Sequence, residues 1–209
     1  MNTEILGIIA MFGITALLAI PLGKYIAKVY AGEHTFLDPI LMPIECFFFR
    51  ASGINDKQEM TWKGHLVALL TINMLWFLMS MGILMHMESL PLNPDNNPSM
   101  AADLAFNTSI SFLVNCNLQH YSGETGISYL GQMWLMFLQF VSAGTGMAAA
   151  VVIFKAFSTK TTSQLGNFYF FFLKSCTRIL LPLSLLVAAF LLFEGTPMTF
   201  EGKDKIVSL

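Results

Sequence analysis

Four long apolar runs dominate the chain: Ile5 to Gly23, Gly64 to Met85, Thr125 to Phe154 and Phe168 to Phe193. A helix needs about 20 consecutive apolar residues to cross a hydrocarbon core, so the pattern predicts four crossings. The stretches between them differ in character. Phe36 to Arg50 mixes aromatics with charges and suits a short helix in the headgroup region, beginning near Pro39. Leu90 to Ser99 is rich in proline and asparagine and reads as a non-helical loop. Met100 to Phe112 is then mildly apolar and favourable for helix, with Ser99 as its cap and Asp103 placed against the positive end of the helix dipole. At about 1.5 Å per residue such a helix reaches only about 20 Å, short of a core about 30 Å thick.

Composition agrees with the pattern. Hydrophobic residues make up 55% of the chain and charged ones 11%, against about 25% charged in an ordinary soluble domain. A net charge of -2 and the absence of any basic block exclude a nucleic-acid partner. Cys46, Cys116 and Cys176 have no CxxC spacing and read as free thiols. The first residues lack the basic leader of a secretory signal, so the first run reads as a retained span. The 14 methionines are scattered and suit apolar packing.

Basic residues set the expected orientation. Lys24, Lys28, Arg50, Lys57 and Lys63 lie between the first two runs, and Lys155, Lys160, Lys174 and Arg178 cluster where the third meets the fourth. From Gly64 to Phe154 there is no Lys or Arg, although Glu88, Asp95, Asp103 and Glu124 occur there. The positive-inside rule then places the amino terminus, the Glu88 to Glu124 segment and the tail with Lys203 and Lys205 outside. Lys174 and Arg178, one helical turn apart, are expected to snorkel to the interface, the alternative being that they face inward as functional cations.

In that topology the short helix must dip into the membrane and turn back. The segment Leu113 to Glu124 after it contains Asn115, Asn117 and Gln119. Irregular backbone at membrane depth is tolerated where protein buries it or where it lines a watery cavity. A pore helix with an extended return strand would aim carbonyl oxygens at a dehydrated cation. Two other readings compete: a loop lying on the outer surface of a membrane anchor, and a metal-dependent membrane enzyme using His65, His86, His120 and Cys116. The enzyme is disfavoured, because His65 and His86 sit about 30 Å apart along one helix and neither HExxH nor GxSxG occurs.

The run Asp103 to Phe112, followed by Asn115-Cys116-Asn117-Leu118-Gln119-His120-Tyr121-Ser122-Gly123-Glu124, resembles the first pore segment of the potassium-binding subunit of Kdp potassium-transporting ATPases. Leu37-Asp38-Pro39-Ile40 with Pro43-Ile44-Glu45, Leu90-Pro91-Leu92-Asn93-Pro94, Leu165-Gly166-Asn167-Phe168 and Leu180-Leu181-Pro182-Leu183-Ser184-Leu185 resemble further landmarks in family order. The resemblance implies an all-α integral membrane protein with four transmembrane helices, one re-entrant pore helix and a filter strand, a partial potassium-channel-like fold. It implies an extra first helix and cytoplasmic loop over 1–62, a first helix–pore-loop–helix repeat over 63–157, and the opening helix of a second repeat with an external tail over 158–209. The resemblance further implies that the ion is potassium, bound through the backbone of Val114, Asn115, Cys116 and Asn117, with Leu118 and Gln119 completing the filter segment. Asp103, Asn107, Thr108 and Ser111 belong to the pore helix. The implied partners are a P-type ATPase catalytic subunit and two small single-span subunits, in a bacterial cytoplasmic (inner) membrane. Family members commonly carry threonine where Cys116 stands and tryptophan where Leu118 stands. Because the filter is assembled from four segments and only one occurs before Leu209, the chain is expected to be an amino-terminal portion that does not conduct alone.

Overall fold

The computed structural model describes residues 3–159, 164–196 and 199–202. Lys160, Lys203 and Lys205, which entered the orientation reading, lie outside the described residues. Seven α-helices follow in order: α1 (Thr3–Ala31), α2 (Asp38–Ser52), α3 (Trp62–Leu84), α4 (Ala102–Leu113), α5 (Tyr129–Ser158), α6 (Phe168–Lys174) and α7 (Leu181–Phe193). A π-helical turn, Ser175–Leu180, joins α6 to α7, and no strand occurs among the described residues. Four helices are long and apolar enough to cross a membrane: α1, α3, α5 and the continuous Phe168–Phe193. The chain is a multi-pass, all-α membrane protein.

Local chemistry explains the helix boundaries. Thr61, Ser128 and Asn167 cap α3, α5 and α6 through side-chain oxygens that accept from Gly64, Gly131 and Phe170. Pro39 sits in the first turn of α2, where its missing N–H costs nothing, and Gly53 ends that helix in the left-handed conformation. The cap of α4 differs from the sequence expectation. Its N-cap is Ala101, without a side-chain bond, because the Ser99 hydroxyl instead accepts the Glu88 N–H at 3.2 Å.

Two packed clusters hold the bundle together. Leu84, Met87, Ala105, Ile127, Leu135 and Leu138 form one, which places α4 between α3 and α5. Ala68, Ala148, Val151, Phe168 and Phe171 form the other, joining α3, α5 and α6. Lipid is as apolar as these side chains, so close fit rather than water exclusion drives the packing. The small residues of α5 make that fit: a Cβ at Gly144 would lie 2.5 Å from the Cys176 sulfur. At one end of the bundle two connections are zipped together. Met60 donates to the Gly166 carbonyl, Leu165 donates back to the Met60 carbonyl, and Asn167 reaches the carbonyls of Asn55 and Gln58.

Lys174 and Arg178 do not snorkel. Arg178 is 3% exposed, and its guanidinium donates to both carboxylate oxygens of Glu45 and to Asp38. Lys174 and the Thr177 hydroxyl complete the shell of Glu45 at 2.5 and 2.7 Å. The physical reason is the partner: sequence spacing alone could not show that α2 brings Glu45 and Asp38 against the π-helical turn. His65 also departs from the interfacial reading, since it is buried and lies stacked against Phe171 with Phe168 at its edge.

Candidate functional site

The first turn of α4 starts beside the last turn of α3, where the Met100 N–H bonds the Leu84 carbonyl at 3.0 Å. The helix then runs back along α3, with Phe106 packed edge-on against Phe77. Its end, Leu113 to Asn115, borders the same cavity as Asn73 and the Ser142 to Met147 stretch, near the midpoints of α3 and α5. From there the chain returns toward the start of α5. Gln119 and Tyr121 line a cavity with Gln132 and Leu135, and the Gly123 carbonyl accepts from Gln132. Asn97 fastens the outer loop to the same region through the Ile127 carbonyl at 2.9 Å.

The turn after α4 is built by its own backbone. Asn115 donates to the Phe112 carbonyl and Cys116 to the Ser111 carbonyl, with Asn115 in the left-handed region at φ 57°. That is a Schellman closure, and asparagine is one of the few non-glycine residues that adopt it readily. The pattern continues beyond the cap. Asn117 is also left-handed at φ 56°, Val114 lies at φ -92°, and Cys116 and Leu118 are not among the positive-φ residues. Left-handed residues alternating with others turn successive N–H groups to one side.

The hydrogen bonds follow this arrangement. Val114 and Asn115 donate to Ile110 and Phe112, Cys116 and Asn117 both donate to the Ser111 carbonyl, and Leu118 donates to the Ser111 hydroxyl at 2.6 Å. Five consecutive N–H groups are therefore turned into the end of α4. The carbonyls of Val114, Asn115, Cys116, Asn117 and Leu118 accept no hydrogen bond among the described residues. They also lie at the carboxyl end of α4, where the helix dipole adds partial negative charge. Such a ladder of free oxygens is suited to a cation and hostile to an anion.

Compared with an extended filter strand, the observed segment is a compact turn. Val114 and Leu118 project outward, 65% and 56% exposed, and Gln119 is exposed with its amide donating to the Tyr121 carbonyl. On α4, Thr108 and Ser111 face the bundle, whereas Asp103 and Asn107 lie on the exposed face. Cys46, Cys116 and Cys176 are all free thiols. Among the described residues no three His, Cys, Asp or Glu side chains group as a metal site. Sequence reasoning missed Asn73, whose signal was a lone amide in the middle of an apolar span.

The family model for the potassium-transporting ATPase A subunit matches residues 9–209. The potassium-transporting ATPase potassium-binding subunit of Flavobacterium johnsoniae is 68% identical over 209 residues, covering all of this chain and 36% of that protein. The subunit of the same name from Phocaeicola vulgatus is 53% identical over 100% of this chain and 37% of its own length. That of Caldanaerobacter subterraneus is 42% identical over 95% of this chain. The chain thus spans a little over a third of the length of these relatives, 36% of the first. A turn with free carbonyls in a bundle of long apolar helices and a family match from residue 9 to residue 209 lead to one assignment: the chain belongs to the potassium-transporting ATPase A subunit family.

Proposed function

We propose that this chain supplies the first ion-binding segment of an ATP-driven potassium uptake complex, holding the ion through backbone carbonyls of Val114 to Leu118 with Gln119 at the outer end. The observation that supports it is the division of the turn, with five N–H groups consumed by the end of α4 and five carbonyls left free. A bare cation needs several oxygens to replace its hydration shell, and backbone carbonyls supply them without a fixed negative charge. This suits a monovalent ion, since a divalent one calls for carboxylates. Cys116 in place of the family's usual threonine leaves the backbone ladder intact and removes a hydroxyl ligand.

In this reading α4 is a re-entrant pore helix, 1–62 carries the extra first helix and interfacial loop, 63–157 is the first repeat, and 158–209 opens the second. The amino terminus lies outside a bacterial inner membrane, and the basic end of the bundle faces the cytoplasm. A complete filter takes further segments of the same kind, and ATP hydrolysis belongs to a partner P-type subunit, assisted by two small single-span chains. A plain membrane anchor gives no reason to keep Asn115 beside the middle of two spans.

The decisive experiment is potassium-stimulated ATPase activity of the assembled complex, with this sequence as the amino-terminal part of its potassium-binding subunit. Asn115→Asp and Gln119→Arg are expected to change apparent potassium affinity by about tenfold or more, since each places a full charge beside the ion. Unchanged affinity in both would sink the proposal.

A further inference from the structure

The stretch Leu90-Pro91-Leu92-Asn93-Pro94 and the residues just after it fasten the outer loop to the start of α5. Asn93 grips the backbone of Asn97 from both sides. Its amide oxygen accepts the Asn97 N–H at 2.9 Å, and its amide nitrogen donates to the Asn97 carbonyl at 2.8 Å. The same nitrogen reaches the carbonyl of Met87 at 3.3 Å, a residue sealed in the core. Asn97, itself 5% exposed, then donates its side-chain amide to the Ile127 carbonyl at 2.9 Å, across 30 residues of chain. An aspartate at 93 offers no donor to the two carbonyls it would face, so the chemistry requires the amide.

Leu92 shows that this loop is held and not slack. Its φ of 61° lies in the left-handed region, which a bulky side chain enters only at a cost. Such strain persists where surrounding bonds fix the backbone, and here the Leu92 carbonyl accepts the Tyr129 N–H at 3.0 Å. That N–H belongs to the first turn of α5, whose donors have no partner within the helix. Ile127 carries the effect toward the turn after α4. Its carbonyl is held by Asn97, and the residue walls a cavity of about 330 Å³ together with Gln119, Tyr121 and Gln132. Gln132 also donates to the Gly123 carbonyl at 3.4 Å, so the limb that returns from the turn lies gripped between the outer loop and α5.

We infer that Asn93 and Asn97 are positioning residues, a clasp that holds the limb from Gln119 to Glu124 against α5 and so fixes the outer end of the carbonyl ladder. The inference rests on the ladder reading above. Neither asparagine touches the ion, and both act through Ile127. The inner part of the turn is closed independently, since Leu118 is bound to the Ser111 hydroxyl. Gln119 is therefore the first residue whose placement depends on the clasp. Loosening it lets the outer end of the ladder drift and weakens the hold on the ion, while the steps that follow binding keep their rate.

The test uses the assembled complex, with this sequence as the amino-terminal part of its potassium-binding subunit, and reads apparent potassium affinity separately from maximal ATPase turnover. Asn97→Ala deletes the bond to Ile127 and is expected to weaken affinity about fivefold, the loss of one ordinary hydrogen bond, with turnover kept within about twofold. Asn93→Asp sets carboxylate oxygens against the carbonyls of Met87 and Asn97 and is expected to weaken affinity at least as much. Asn97→Ser keeps a shorter donor, so its affinity should fall between alanine and wild type, and it carries the test where the alanine variant does not assemble. An asparagine that only stabilised the fold would reduce the active fraction, and with it turnover, at unchanged affinity. That result, or wild-type affinity in the variants at both positions, overturns the clasp. Asn115→Asp and Gln119→Arg separate this from the ladder: altered affinity there beside silent Asn93 and Asn97 variants removes the clasp alone, and unchanged affinity in both removes the ladder beneath it.

Discussion

Ser111 and Leu118 are joined by a 2.6 Å hydrogen bond from the Leu118 N–H to the Ser111 hydroxyl, which closes the turn after α4 on itself. The same serine takes the N–H groups of Cys116 and Asn117 on its carbonyl. Ser111→Ala keeps those two bonds and leaves the Leu118 N–H unpaired, a loss of about 1 kcal/mol. Apparent potassium affinity of the complex is expected to fall about fivefold, with Ser111→Thr restoring most of it. An alanine variant with full affinity would mean that this bond does not orient the carbonyls.

Cys116 offers a chemical probe of the same turn. It is an exposed free thiol between two left-handed asparagines, whereas Cys176 is buried against α5. A membrane-impermeant maleimide added from outside intact cells should label Cys116, and Cys46 on α2 only after permeabilisation. Potassium should slow the Cys116 reaction, and sodium at equal concentration should not. Labelling of Cys46 from outside would reverse the proposed orientation.

Gly144 of α5 tests the packing between α5 and the fourth span. Its added Cβ would lie 2.5 Å from the Cys176 sulfur and 3.4 Å from the Phe172 ring. Gly144→Ala therefore overpacks a tight contact, at a cost of about 1–3 kcal/mol. Cys176→Ala removes the nearest atom and should restore most of the loss, measured as thermal unfolding in detergent. Additive effects of the two substitutions would show that they do not share this contact.

The apolar periodicity made the four spans legible, because length and hydropathy alone decide which helices can cross a membrane. Interruption of the pattern marked α2 and α4: Pro39 at a helix start, and a short apolar stretch flanked by Pro94, Pro98 and the asparagines. Asn115 carried the cap signal in its residue type, since left-handed φ favours asparagine. What stayed hidden depends on pairs far apart in the chain. Glu45 meets Arg178 across 133 residues, and nothing local to Lys174 or Arg178 distinguishes a paired cation from a snorkelling one. Asn73 and Thr145 likewise meet only when α3 and α5 pack around the end of α4.

Glu45 gives the last prediction, in pH. Burial pushes its carboxyl upward, but hydrogen bonds from Arg178, Lys174 and Thr177 outweigh that and hold it below the ordinary carboxylate range. Asp38 is depressed too, with burial opposed by Thr35, Arg178 and His34. A depressed folded value stabilises the protein at pH above the unfolded carboxylate range and loses that contribution as pH falls through the folded value. Thermal unfolding in detergent should therefore be level from neutral pH to about 5 and fall steeply below about 4. Glu45→Gln removes a charge that buried Arg178 and half-buried Lys174 both need, so it should cost about 3–5 kcal/mol at neutral pH. Its curve should flatten in acid and approach the wild type there, since the protonated wild-type glutamate resembles glutamine. Parallel curves across the whole range would show that the Glu45 charge contributes nothing to the acid transition.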